Sequence, residues 1–157
     1  MPTLKDAVDD FLAQKRIAVV GVSRSSSQAA NLVYRGLRGG NYDVFAVNPN
    51  ADEVEGDTCY HELKSIPGGV DAVVIATTPK VAETVVGDCA VLGISRVWIH
   101  RSFGRGSISE KAVDFCRDND ITVIAGGCPK MFLPKADFGH RCMRWILNVT
   151  GGLPKQV

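Results

Sequence analysis

The sequence contains no C-x-x-C pair, no Cys/His cluster at metal-ligand spacing and no apolar run approaching about 18 residues. Its five cysteines, Cys59, Cys89, Cys116, Cys128 and Cys142, are odd in number and scattered. A structural zinc site, a disulfide framework and a spanning helix are therefore not expected, and the thiols read as reduced and intracellular. The three histidines, His61, His100 and His140, are dispersed, and none pairs recognisably with a nucleophile, so a Cys-His or Ser-His mechanism finds little support. An excess of charge is also missing. Eighteen Lys and Arg against seventeen Asp and Glu leave a net charge of +1, which supplies no global field for nucleic acid or an anionic membrane. The first residues, MPTLKDAVDDFLAQ, put acids where a signal peptide needs a basic patch before an apolar run. A cytoplasmic location is the expectation.

What is present is an ordinary globular composition, 45% hydrophobic and 22% charged, over 157 residues, which suits one domain spanning 1–157. Leu4, Ala7, Val8, Phe11 and Leu12 recur at helical spacing behind Thr3-x-x-Asp6, a capping-box pattern that predicts a helix over 3–14. The run IAVVGV (17–22) is apolar without alternation and rich in β-branched residues, as a strand covered on both faces should be. A helix follows over 28–38, with Ala29, Leu32, Val33, Gly36 and Leu37 as its apolar stripe. Strands are then predicted at 43–47, 71–78, 96–100 and 121–125, with helices after Pro79 and over 109–117 and a final helix at about 136–149. Residues 50–70 read as an irregular connection. Five strands alternating with helices argue for a Rossmann-like, doubly wound α/β fold with a mainly parallel five-stranded sheet and helices on both faces.

In such a sheet the ligand crevice lies outside the carboxyl ends of the strands. The loop Gly21-Val22-Ser23-Arg24-Ser25-Ser26-Ser27 precedes a helix whose free N–H groups attract phosphate. It is not G-x-G-x-x-G, because Ser23 and Ser26 stand at the second and third glycine positions. Nor does an acid end the second strand to hold a ribose hydroxyl; Asn48-Pro49 is there instead. Both departures count against NAD.

G-x-S after the first strand, Val47-Asn48-Pro49 after the second, Val54-Glu55-Gly56 with Cys59-Tyr60, Thr78-Pro79-Lys80 after the third, Val97-Trp98 and a cysteine after the fifth occur in that order. Over about residues 14–130 the chain thereby resembles the small CoA-binding domain proteins, stand-alone relatives of the N-terminal CoA-binding domain of the succinyl-CoA synthetase α subunit. The resemblance implies coenzyme A or an acyl-CoA as ligand. It places Gly21, Val22, Ser23 and Arg24, with the Ser25 hydroxyl, on the phosphates, Asn48 and Pro49 beside the adenosine, and Thr77, Thr78, Pro79 and Lys80 on the opposite wall. Gly127-Cys128-Pro129-Lys130 resembles the asparagine-cysteine-proline turn of the synthetase subunit without implying ligase activity. No catalytic set and no metal site emerge, so the expectation is a binding module.

Several alternatives stay open. Cys128, next to glycines and Lys130, is a candidate for a mixed disulfide with the CoA thiol, and His100 is the histidine expected at the ligand edge. An NAD(P)-binding or acyl-CoA-processing enzyme using one of them is the rival reading. Residues 128–157 hold five Lys and Arg against one Asp, and His140, Arg141 and Arg144 cluster opposite Phe138, Cys142, Trp145 and Val149 on the final helix. That basic face is a candidate surface for a protein partner, and a homo-oligomer is a further partner expectation.

Overall fold

The computed structural model describes residues 2–101 and 106–133. The chain opens with α1 (Leu4–Leu12). The Thr3 hydroxyl accepts from the Asp6 N–H and the Asp6 carboxylate accepts from the Thr3 N–H, so the capping box forms as its sequence predicts. Next come β1 (Arg16–Val20), α2 (Ala29–Gly39) and β2 (Asp43–Val47). The short strands β3 (Glu53–Val54) and β4 (Asp57–Tyr60) follow, then β5 (Ala72–Ile75), α3 (Pro79–Val91), β6 (Arg96–Ile99), α4 (Glu110–Asp118) and β7 (Thr122–Ala125). The expected helix at 136–149, with His140, Arg141 and Arg144, lies outside the described residues.

The sheet has seven strands in the order β3-β4-β2-β1-β5-β6-β7, a correction to the expected five. The extra pair comes from the segment read as irregular. Glu55 and Gly56 take φ of 53° and 78°, a two-residue turn with both central residues left-handed, which folds β3 back antiparallel on β4. β4 then joins β2 in parallel, so the sheet is mixed. Glu is an uncommon first residue for such a turn, and strands this short leave no periodicity to read.

β1 pairs in parallel with β2 and β5, and its side chains alternate between two cores. Ile17 and Val19 join α1, α2 and Trp98 on one face, while Ala18 and Val20 join α3 and α4 on the other. Burying such a β-branched side chain contributes about 1.5–3 kcal/mol, which is why an uninterrupted apolar run occupies the central strand. Because α2 covers one face and α3 the other, the adjacent carboxyl ends of β1 and β5 form the topological switch point.

The stripe predicted for α2 is rotated from the observed one. Ala30, Val33, Tyr34 and Leu37 are buried, whereas Ala29 is exposed and Leu32 is 37% exposed. Spacing i, i+3, i+4, i+7 fits the observed set when Tyr34 is counted as apolar. Tyr34 is buried with its hydroxyl donating to Asp57 at 2.7 Å.

Candidate functional site

The loop between β1 and α2 begins at the switch point under a steric constraint. Gly21 has φ +108°, and a Cβ there would lie 2.2 Å from the Ala76 carbonyl oxygen and 3.2 Å from Thr77 Cγ2. Only glycine passes so close to the neighbouring strand end in that conformation. The Gly21 N–H donates to the Val47 carbonyl and the Ala76 N–H to the Val20 carbonyl, so β1, β2 and β5 end in register. Asn48 closes the same corner, its side chain donating to the Val22 carbonyl at 2.9 Å and accepting from the Asn50 N–H. Gly21, Val22, Asn48 and Thr77 are thus brought together, with Ser23, Arg24 and Ser25 following and Pro49 exposed beside them.

Behind the loop stands Asn31 on α2, 0% exposed. Its Oδ1 accepts the Ser23 N–H at 2.8 Å, and its Nδ2 donates to the Ser23 carbonyl at 2.6 Å and to Glu55 Oε1 at 2.7 Å. Both backbone groups of Ser23 are therefore engaged within the protein, and its hydroxyl accepts from the Ser25 N–H. Arg35 donates to the Ser26 carbonyl at 3.0 Å and to Glu55 Oε1 at 2.7 Å. The Asn31 hydrogen bond, followed by the Arg35 charge, holds the Glu55 carboxyl below the ordinary carboxylate range. Asn31 is not legible in the sequence, because a lone polar residue beside an apolar face carries no periodic signal.

Most remaining amides of the loop are not bonded within the described residues. Gln28 is the N-cap of α2 and makes no side-chain capping bond. Among the described residues, the N–H groups of Arg24, Ser26, Ser27, Ala29 and Ala30 have no partner. The connection from β5 to α3 differs. The Thr77 N–H donates to Ser107 Oγ at 2.8 Å, the Thr78 hydroxyl accepts from the Val81 N–H, and Pro79 occupies the first turn of α3 without an N–H. Lys80 is exposed on that turn. Ser107, absent from the sequence expectations, is tied to His100 by its own N–H.

His100 and Cys128 are the more deeply placed candidates. His100 is 7% exposed and its N–H donates to the Ile75 carbonyl; Cys128 is 2% exposed within the core that includes Val33 and Met131. Cys89 and Cys116 are buried between α3 and α4 and the strands, and burial pushes both thiols up to about 12. A cleft of about 590 Å³ opens beside Pro79, between α3 and the first residues of α4, with Arg101 and Ile108 on its wall. Among the described residues no group of His, Cys, Asp and Glu is placed to hold a metal ion, and no helix is long and apolar enough to cross a membrane.

Known proteins are similar to this chain in sequence and in fold. The chain is 33% identical over 113 residues, 69% of its length, to an ADP-forming acetate–CoA ligase II of Archaeoglobus fulgidus, of which it spans only 16%. An uncharacterized Bacillus subtilis protein is 27% identical over 130 residues, covering 83% of this chain and 93% of that one. A solved structure of a hypothetical protein from Pyrococcus horikoshii superposes with a TM-score of 0.73 at 27% identity, over 80% of this chain and 85% of the other. Residues 15–134, from the start of β1 past the turn after β7, match the model described as "CoA binding domain", and the chain belongs to that family.

Proposed function

We propose that this protein binds coenzyme A or an acyl-CoA at the switch point, as a binding module that carries no complete catalytic set. The observation that carries this reading is the uncapped start of α2. A helix N-terminus with open amides and a positive dipole end suits a pyrophosphate, and Arg24, exposed on the same loop, adds a cation. In this reading Asn48-Pro49 borders the adenosine and Thr77, Thr78, Pro79 and Lys80 form the opposite wall. Pro79 also lines the cleft between α3 and α4, which gives the pantetheine arm a direction to run.

The low exposure of the His100 and Cys128 side chains argues against chemistry through them, so no covalent step is placed on either. Isothermal titration with CoA, NAD and NADP tests the ligand. CoA is expected to bind in the micromolar range or tighter, and a nicotinamide cofactor binding about tenfold more tightly than CoA would reverse the assignment.

A further inference from the structure

Glu55 is an unusual residue in an unusual place. It sits at φ 53°, in a turn that favours Asn, Asp or Gly, yet its side chain points inward and is only 11% exposed. Among the described residues, its Oε1 accepts from two donors, Asn31 Nδ2 and Arg35 Nη1, each at 2.7 Å. Those two donors are also the residues that hold the β1–α2 loop. Asn31 grips both backbone groups of Ser23, and Arg35 grips the Ser26 carbonyl.

One carboxylate oxygen on the β3–β4 hairpin therefore fixes both ends of the stretch 23–26 without touching it. We infer that Glu55 is a positioning residue for the anion site: by orienting Asn31 and Arg35 it presets the loop so that the amides of Arg24, Ser26 and Ser27 converge where the pyrophosphate lies. The inference rests on the proposed CoA binding at this loop. Its physical basis is that an ordered set of donors binds an anion without first losing loop entropy. The left-handed backbone at Glu55 is the strain tolerated to place that side chain.

The test compares wild type with Glu55→Gln, Arg35→Met and, as a control on the same hairpin, the exposed Glu53→Gln. Each is titrated with CoA, melted, and followed for hydrogen exchange at the Ser23 amide. Glu55→Gln is expected to weaken CoA about tenfold and to accelerate Ser23 exchange about tenfold or more, because both bonds lose their charged acceptor and the added amide N–H₂ competes for the same orientation. Arg35→Met, half-exposed and able to fold whatever the fate of Glu55→Gln, should weaken CoA about threefold to tenfold. Glu53→Gln should match wild type in both. If Glu55 serves only its hairpin, melting falls while CoA affinity and Ser23 exchange stay at wild-type values, and the inference is wrong. If wild type itself fails to bind CoA, the ligand assignment falls and the inference with it.

Discussion

The β1–α2 and β5–α3 connections leave neighbouring strands at the same edge of the sheet, yet they engage their backbone amides to different extents. In the β5–α3 connection the Thr77 N–H goes to Ser107, the Val81 N–H to the Thr78 hydroxyl, and a proline without an N–H opens the helix, which leaves the amides of Thr78 and Lys80 open among the described residues. In the β1–α2 connection the engaged groups lie behind, on Asn31 and Arg35, and the front is left open. A helix start buries its polar groups with a cap or presents them to a ligand. Two adjacent loops on one scaffold lean toward different solutions, and the β1–α2 loop leaves the larger set of amides open.

The contrast can be attacked from several sides. Gly21→Ala should have the largest effect, costing about 3 kcal/mol or more, since its Cβ meets a backbone oxygen at 2.2 Å in a left-handed conformation. Chemical denaturation measures this, and recovery of wild-type stability would show that the two strand ends separate more easily than their geometry implies. Asn31→Ala comes next, with about 2–3 kcal/mol lost because Ser23 and Glu55 groups lose their buried partner.

Swapping the capping states gives smaller and opposite signs. Gln28→Asp supplies the missing cap and should raise stability by about 1 kcal/mol while lowering CoA affinity about tenfold, since a carboxylate occupies the anion's place. Thr78→Ala should lose about 1 kcal/mol and reduce CoA affinity less than Gln28→Asp does. Equal affinity losses in the two variants would erase the distinction between the loops.

The smallest effect is on pH. Tyr34 and then Arg38 hold the Asp57 carboxyl below its ordinary value, as Asn31 and Arg35 do for Glu55. Carboxylates depressed in the folded state contribute stability that is present above their unfolded pKa and lost as pH falls through the folded one. The melting temperature should therefore decline below about pH 4, and less steeply in Asp57→Asn.

Much of this layout is legible in the sequence. The apolar run at β1, the Pro and Gly breaks and the capping box predicted the four α-helices and five of the seven strands found among the described residues, and the polar loops fell at the carboxyl edge of the sheet. The hairpin is not legible, because its turn begins with Glu rather than Asn or Asp and its strands are too short for alternation. The clamp was invisible for a related reason: Asn31 and Glu55 are 24 residues apart, and nothing local marks a polar side chain that is buried only because a distant carboxylate meets it. Ser23, expected on the phosphates, has both of its backbone groups bonded to Asn31, a pairing with no local sequence signal.

The most direct measurement is an amide-resolved NMR titration of the protein with CoA. The account predicts that the N–H signals of Arg24, Ser26, Ser27, Ala29 and Ala30 shift most on binding, as they gain a charged acceptor, while those of Thr77 and Val81, already bonded within the protein, shift less. Saturable binding with the largest shifts at the start of α3 or α4, and none at the start of α2, would contradict it.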